Sequence, residues 1–150
     1  MTQEKFPAAC YTENVLTDCF EDAKRYFLHA LIEVDFAHAV MLAEQKIITD
    51  DELKILLKAL RKLDLDKIRA TKYDGTYEDL FFYLQQEIAV NCDAEIAGKL
   101  HTARSRNDID VTIYRLHLRV VALKLARETM NLRRTMLDLA AQHQDRKSVV

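Results

Sequence analysis

The stretch Ile109-Asp-Val-Thr-Ile-Tyr-Arg-Leu-His-Leu-Arg-Val-Val-Ala-Leu123 opens the longest regular pattern in the chain. One apolar series recurs every seven residues: Ile109, Leu116, Leu123, Met130 and Leu137. A second series has the same interval: Val111, Leu118, Leu125, Leu132 and Leu139. At about 100° per residue the two series lie nearly opposite each other, which predicts a helix over 108–143 that is apolar on two faces.

Such a helix would be about 54 Å long at 1.5 Å per residue, too long to be covered by the short helices predicted upstream. We therefore expect part of its surface to be covered by other chains, by further sequence, or by both. The alternatives are a monomer whose helices fold back on themselves and a lone amphipathic helix with scattered surface leucines.

The composition predicts an all-α fold. The 150 residues include only two glycines and one proline, the residues that punctuate strands and turns. A net charge of −2 provides no overall field for nucleic acid, so we expect no nucleic-acid partner. Three cysteines without CxxC spacing and a polar start favour the cytoplasm. Uninterrupted apolar runs are far shorter than the roughly 20 residues of a membrane helix, so no membrane contact is predicted.

The first half of the chain predicts an extended arm followed by two helices. Residues 1–14 contain the lone proline and show no sustained period. From there to about residue 45, apolar residues at spacings of three and four predict a long amphipathic helix, with an irregularity near 27–29. Thr49 and Glu52 match a capping box, which predicts a helix over 50–63.

The region before the long helix predicts one further helix and one loop. Residues 65–73 have no clean period, and Asp74-Gly75 indicates a turn. Thr76 is the predicted cap of a helix over 77–91. Residues 92–106, which include Gly98, form the predicted active-site loop.

The stretch Gly98-Lys-Leu-His-Thr-Ala-Arg-Ser-Arg-Asn-Asp108 concentrates chemistry-bearing groups just before the long helix. Two arginines suit bidentate pairing with carboxylates, and Thr102, Ser105 and Asn107 add neutral donors. A loop that enters a helix also directs free backbone N–H groups and a positive dipole end at an anion. The alternative is a solvated basic loop in which Ser105 or Asn107 merely caps the helix.

This undecapeptide resembles the first signature block of argininosuccinate lyases, in the fumarase/aspartase superfamily, where Gly-Arg-Leu-His-Thr-Gly-Arg-Ser-Arg-Asn-Asp is typical. The segment from Ala37 to Thr49 is similar to the family's Ala-His-Ala-x-Met-Leu-Ala-x-Gln-Gly-Ile-Ile segment. Tyr77-Glu-Asp-Leu-Phe81 takes the place of its Asp-Glu-Asp-Ile-His. Order and spacing match, so the resemblance covers roughly residues 25–146.

The resemblance implies a fold, an assembly and a reaction. Residues 1–106 would be an N-terminal helical domain with the signature loop, and 107–150 the start of a central helical-bundle domain. In this family four subunits share that bundle, and each active site is built from three chains. The reaction is a β-elimination without metal or organic cofactor: a base removes a proton beside a carboxylate of the succinyl group, and the C–N bond breaks to give fumarate and arginine.

The resemblance also implies roles for individual residues. Ser105, Arg106 and Asn107 match the substrate-holding residues of the family, and His101 and Thr102 line the same loop. Asp79 matches a retained aspartate and is the predicted organiser of the site. The proton-moving residues belong to later blocks, so we expect no catalytic residue here and no turnover by these 150 residues alone. His38, on a predicted helix, is interpreted as a surface or packing residue.

Two departures from the family pattern bear on the substrate. Asp35 stands where the family has a substrate-contacting serine, and is included in the predicted substrate-binding set. Phe81 replaces the histidine of Asp-Ile-His. An added carboxylate beside an anionic substrate would repel it unless paired. A paralogous lyase acting on another N-substituted aspartate, and a non-catalytic helical assembly module, are the alternatives to argininosuccinate cleavage.

Overall fold

A computed structural model describes residues 7–144 as an all-α protein, with no strand among them. Its α-helices are α1 (Ala9–Tyr11), α2 (Thr17–Asp22), α3 (Leu28–Glu44), α4 (Asp50–Arg61), α5 (Leu65–Ala70), α6 (Leu80–Asn91), α7 (Ala94–Lys99) and α8 (Arg106–Gln142). Two π-helical turns, Thr12–Leu16 and Ala23–Phe27, connect the first three. The chain divides into two compact units, Met1–Tyr114 and Arg115–Val150. The predicted arm and the predicted second domain each extend beyond the described residues, at 1–6 and 145–150.

The N-terminal helical stretch begins earlier than the sequence predicts. Residues from Ala9 onward are helical, so the prediction of an extended arm through residue 14 is wrong for residues 9–14. The irregularity predicted near residue 27 is confirmed: a π-helical turn ends at Phe27, whose φ of −121° and ψ of −10° leave the helical region. Each π-helical turn adds about one residue to a helical turn and so shifts the positions at which apolar residues face the core. A regular spacing of three and four therefore describes this helix only approximately.

Helix α4 has the predicted capping box. The Thr49 hydroxyl accepts a hydrogen bond from the Glu52 backbone N–H at 3.3 Å, and the Glu52 carboxylate accepts one from the Thr49 N–H at 2.8 Å. The sequence missed α5, which Asp64 caps by accepting hydrogen bonds from the backbone N–H groups of Asp66 and Lys67.

The cap predicted for the next helix was misplaced. Asp79, rather than Thr76, caps α6, which begins at Leu80. The Thr76 N–H instead donates to Asp74 in a turn that passes through Gly75, at a φ of +77°. The predicted loop 92–106 also contains a short helix, α7, capped by Asp93.

The hydrophobic core lies in the first unit and is built from all its longer helices. Phe20, Leu28 and Leu42 come from the N-terminal stretch, and Leu56 and Leu84 come from α4 and α6, all with 2% exposure or less. The start of α8 adds Ile109 and Ile113. Leu100, in the signature loop, is fully buried, so the loop is attached to the core by an apolar side chain.

The stretch Ala9–Glu44 qualifies the expectation about membranes. It contains an 18-residue window of mean hydropathy 1.4, so by length and composition alone this helix is apolar enough to cross a bilayer. The core helix of a soluble protein passes the same test. Leu28, Leu31, Ala39 and Leu42 of this stretch belong to the hydrophobic core, and 28% of the window is buried within the single chain.

The described part of the second unit is the remainder of α8 and the two residues that follow it. From Leu118 to Gln144 every described residue is exposed, including Leu125 at 68%, Met130 at 67% and Leu132 at 61%. From Leu118 onward, both seven-residue series of the sequence therefore present their apolar side chains to solvent in the single chain.

Candidate functional site

Ser105 forms the cap that starts α8. Its hydroxyl accepts a hydrogen bond from the Asp108 backbone N–H at 3.3 Å, and the Asp108 carboxylate accepts from the Ser105 backbone N–H at 2.9 Å and from its hydroxyl at 2.8 Å. These bonds lower the pKa of the Asp108 carboxyl, chiefly through the Ser105 N–H. This arrangement is a capping box with aspartate in the third position, and it occupies the hydroxyl that the sequence predicts to contact a substrate.

Arg106, the first residue of α8, is held by two carboxylates. Its Nη1 lies 2.7 Å from Oε1 of Glu78, and its Nη2 contacts Asp79. The guanidinium carbon also lies 5.8 Å from the centre of the Phe82 ring. The side chain is 37% exposed, so the fork is partly open to solvent although both of its nitrogens have acidic partners.

Asp79 contacts the starts of two helices, α6 and α8. Its Oδ1 accepts a hydrogen bond from the Phe82 backbone N–H at 3.1 Å, which caps α6, and its Oδ2 pairs with Arg106 at the start of α8. The predicted role of Asp79 as an organiser of the site is compatible with this placement and stays a prediction.

Asn107 differs from its neighbours because its side chain is exposed and has no hydrogen-bond partner among residues 7–144. Thr102 is exposed too. Its backbone N–H donates to the Lys99 carbonyl at 3.0 Å and its own carbonyl contacts His38, whereas its hydroxyl has no hydrogen-bond partner among the described residues. The His101 ring packs edge-on against Phe81 at 5.1 Å, and its pKa is lowered by partial burial and by the Arg104 charge. Phe81, which replaces a family histidine, is therefore a core residue that supports the loop.

Asp35 does not line an open site. It is 4% exposed, and its Oδ1 lies 2.6 Å from Nη1 of Arg104, whose side chain is 5% exposed. The approach does not meet hydrogen-bond geometry, so Oδ1 and all three guanidinium nitrogens lack hydrogen-bond partners among the described residues. Burial raises the pKa of the Asp35 carboxyl, and the Arg104 charge opposes that rise. The structure places Asp35 in a buried ion pair, and its predicted contact with a substrate stays a prediction.

His38 makes a contact that the sequence did not predict. Its Nε2 lies 2.9 Å from the Thr102 carbonyl oxygen, to which it donates in the tautomer that carries the proton on Nε2. Burial lowers the pKa of His38. Asp35 and His38 are three residues apart on α3 and so lie on one face of that helix. Once one of the two is assigned to the loop, this spacing is the sequence signal that assigns the other to it as well.

A pocket of about 310 Å³ adjoins Arg106 within the first unit. Asp79 and Asp110 line it on the polar side, and Phe27 and Tyr114 form an aromatic wall with ring centres 5.1 Å apart. Burial raises the pKa of the Asp110 carboxyl, Arg106 opposes that rise, and Asp79 adds to it. Among the described residues, no group of three potential ligand side chains is close enough to hold a metal ion.

Comparison with known proteins finds similarity to argininosuccinate lyases. Argininosuccinate lyase 2 of Agrobacterium fabrum is 34% identical over 141 residues, which are 93% of this chain and 28% of that protein. Argininosuccinate lyase of Methanosarcina mazei is 36% identical over 124 residues, 83% of this chain and 25% of that protein. Argininosuccinate lyase 1 of Shouchella clausii is 33% identical over 122 residues, 81% of this chain and 24% of that protein.

The chain spans about a quarter of the length of these curated relatives. No protein-family model matches it, and no solved structure matches it. The resemblance read from the signature segments is confirmed by these relatives, and it extends over most of the chain.

Proposed function

We propose, from this similarity to argininosuccinate lyases, that the chain is the N-terminal part of a carbon–nitrogen lyase. The reaction is β-elimination from an N-substituted aspartate, with argininosuccinate giving fumarate and arginine. The observation that carries the proposal is the similarity itself, which extends over 93% of the chain in one relative and includes the signature loop.

The start of α8 supports the proposal through its chemistry. Arg106 offers a planar fork, Asn107 has a free amide, and both lie in the first helical turn, where backbone N–H groups and the helix dipole favour an anion. These groups would bind a substrate carboxylate and stabilise the charge that develops on it as the neighbouring proton is removed. His101 and Thr102 of the same loop are the further substrate-binding residues of this proposal. The base and the acid come from sequence outside these 150 residues.

The pairing of Arg106 with Glu78 and Asp79 sets a condition for binding. A substrate carboxylate reaches the fork by displacing one acidic partner. Glu78 is the partner that yields more easily, because its side chain is 67% exposed whereas that of Asp79 is 20% exposed and also caps α6.

The buried pairing of Asp35 removes one objection to argininosuccinate. A free carboxylate in the serine position would repel the substrate, but this carboxylate faces Arg104 in the interior. Argininosuccinate therefore stays the substrate proposed first, and a related amino-succinate is the alternative.

We also propose that the protein is a homo-oligomer, a tetramer when intact, located in the cytoplasm. The exposed apolar residues of α8 support association with further copies, since contiguous apolar surface of this kind is rarely left open to water. Sedimentation tests this part of the proposal: we expect the chain to associate at micromolar concentration, and a compact monomer would contradict it.

The decisive experiment is a fumarate assay on the full-length protein, followed by ultraviolet absorbance. Argininosuccinate is offered alongside a series of other N-substituted aspartates. Release of fumarate from argininosuccinate supports the proposal, and release from another member of the series alone identifies a paralogous lyase. A folded, oligomeric protein that releases fumarate from none of them would be an assembly module instead.

A further inference from the structure

The signature loop contains one strained residue. Ala103 has a φ of +61°, in the left-handed region where a Cβ costs about 1–2 kcal/mol. A non-glycine residue keeps such a conformation only when the surrounding structure holds it there.

Both neighbours of Ala103 are attached to the same helix. On one side, the Thr102 carbonyl lies 2.9 Å from His38 Nε2; on the other, Arg104 Nη1 lies 2.6 Å from Asp35 Oδ1. His38 and Asp35 lie one turn apart on α3. The strained residue is therefore spanned by two contacts that reach one helical face.

The Asp35–Arg104 pair is poorly suited to stabilising the fold as such. Both side chains are almost completely buried, yet the three guanidinium nitrogens have no hydrogen bond among the described residues. A buried pair repays its desolvation only when its geometry is good and its remaining polar groups are satisfied. Its position beside Ala103 suggests a different use, the fixing of one backbone conformation.

We propose that Asp35 and His38 form a clamp on α3 that keeps Ala103 in the left-handed conformation and thereby aims the start of α8. Arg104 is the residue on which the clamp closes, and Arg106 and Asn107 are the residues that it positions. In this view Asp35 is a positioning residue and not a substrate ligand. The clamp itself follows from the loop geometry, whereas its effect on turnover rests on the proposed lyase function.

Hydrogen exchange of the loop tests the clamp without reference to activity. In the full-length protein, we expect His38→Ala and Asp35→Asn each to speed amide exchange at residues 100–105 by about tenfold or more, with little change in the core of α4. His38→Gln keeps a donor near the Thr102 carbonyl, so it should recover much of the protection. Asp51→Asn is the matched control, since it breaks an exposed ion pair with Lys54 on α4.

The second arm uses the strained residue itself. Glycine adopts the left-handed region freely, so adding Ala103→Gly to His38→Ala should restore the protection of the loop to within about threefold of the wild type. If Asp35→Asn fails to fold, the reversed pair Asp35→Arg with Arg104→Asp and the His38 series decide the matter. Unchanged loop exchange in the His38 variants, or no restoration by Ala103→Gly, would overturn the clamp.

Kinetics of the same variants separate positioning from stability. We expect His38→Ala to lower kcat/KM by about tenfold and Ala103→Gly to recover it, although neither residue touches substrate. A residue that only stabilised the fold would change the melting temperature and leave kcat/KM as it was. If the wild type releases no fumarate, the proposed function is wrong. The hydrogen-exchange data still test the clamp in that case, because they do not depend on activity.

Discussion

The two parts of α8 carry the same seven-residue apolar series and have opposite surroundings. Ile109, in the first unit, is 3% exposed, whereas Leu123 and Leu137, in the second, are 62% and 58% exposed. The difference shows that a periodic pattern predicts which face of a helix will be buried but does not reveal what buries it. For Ile109 the covering comes from its own chain, and for the later residues the single chain provides none.

The largest expected effect tests this comparison directly. Ile109→Ala should lower the free energy of unfolding by about 2–5 kcal/mol, because it opens a cavity in the core. At a protein concentration low enough that sedimentation finds a monomer, Leu123→Ala should change it by no more than about 0.5 kcal/mol. Denaturant titration measures both.

Concentration then separates the two parts of α8 further. Stability that comes from association rises with protein concentration, so the cost of Leu123→Ala should grow in concentrated samples while that of Ile109→Ala stays constant. Equal costs in dilute solution would show that Leu123 is covered by its own chain after all.

The next prediction asks whether the start of α8 is a site or a scaffold. In the full-length protein, Arg106→Lys and Asn107→Ala should each lower kcat/KM by about 100-fold, since each removes a donor aimed at developing charge. Asn107→Ala should leave the melting temperature nearly unchanged, because its side chain makes no hydrogen bond among the described residues.

Ser105→Ala is the stability reference for that pair, because Ser105 is the residue that caps the helix. Its loss should cost about 1 kcal/mol of stability. Steady-state kinetics measure kcat/KM and thermal unfolding measures the melting temperature for all three variants. A lowered melting temperature with unchanged kcat/KM in Asn107→Ala would assign this turn to the scaffold.

Much of the fold could be predicted because local chemistry determines it. The capping box of Thr49 and Glu52 and the periodicity of α8 are short-range signals, and both predicted helices are present. The missed helices, α5 and α7, each have six residues, too few for a period to register. The misplaced cap of α6 arose because Thr76 and Asp79 both qualify as caps, and the turn at Gly75 decides between them.

The site was harder to predict because its decisive contacts span the sequence. Asp35 and Arg104 are far apart in the chain, and nothing in the local sequence says that a carboxylate beside an apparent substrate position turns inward to an arginine. The same holds for His38, whose partner is a backbone carbonyl that carries no sequence signal. Sequence comparison placed the signature loop, but it could not show which residues hold that loop in place.

A smaller effect is expected at the acidic partner of Arg106. Glu78→Gln removes the more exposed of its two carboxylates, so a substrate carboxylate should reach the fork more easily. We expect KM to fall by about threefold with kcat little changed, consistent with the loss of one exposed ion pair worth about 0.2–1 kcal/mol. Asp51→Asn, which removes an exposed carboxylate on α4, controls for net charge. An unchanged or raised KM would mean that Glu78 does not compete with substrate.

The smallest effect concerns a contact between the loop region and α4, in addition to the two contacts that the loop makes with α3. Lys99, at the end of α7, pairs with Glu52 of the capping box, and that contact together with the Thr49 N–H lowers the pKa of Glu52 from 4.5 to about 2. The folded state therefore holds the proton less tightly than the unfolded chain. The resulting stabilisation is fully present above about pH 4.5 and is lost as the pH falls towards about 2.

Thermal unfolding of the wild type and Glu52→Gln over this range tests the contact. The difference in melting temperature between the two should be constant at neutral pH and should shrink as the pH falls through the window. Lys99→Met is the companion variant: it keeps the capping box but removes the ion pair, so its stability should depend on acid less steeply than that of the wild type. If Lys99→Met retains the full acid dependence, the depressed pKa of Glu52 comes from the cap of α4 alone, and Lys99 does not help to hold the loop region.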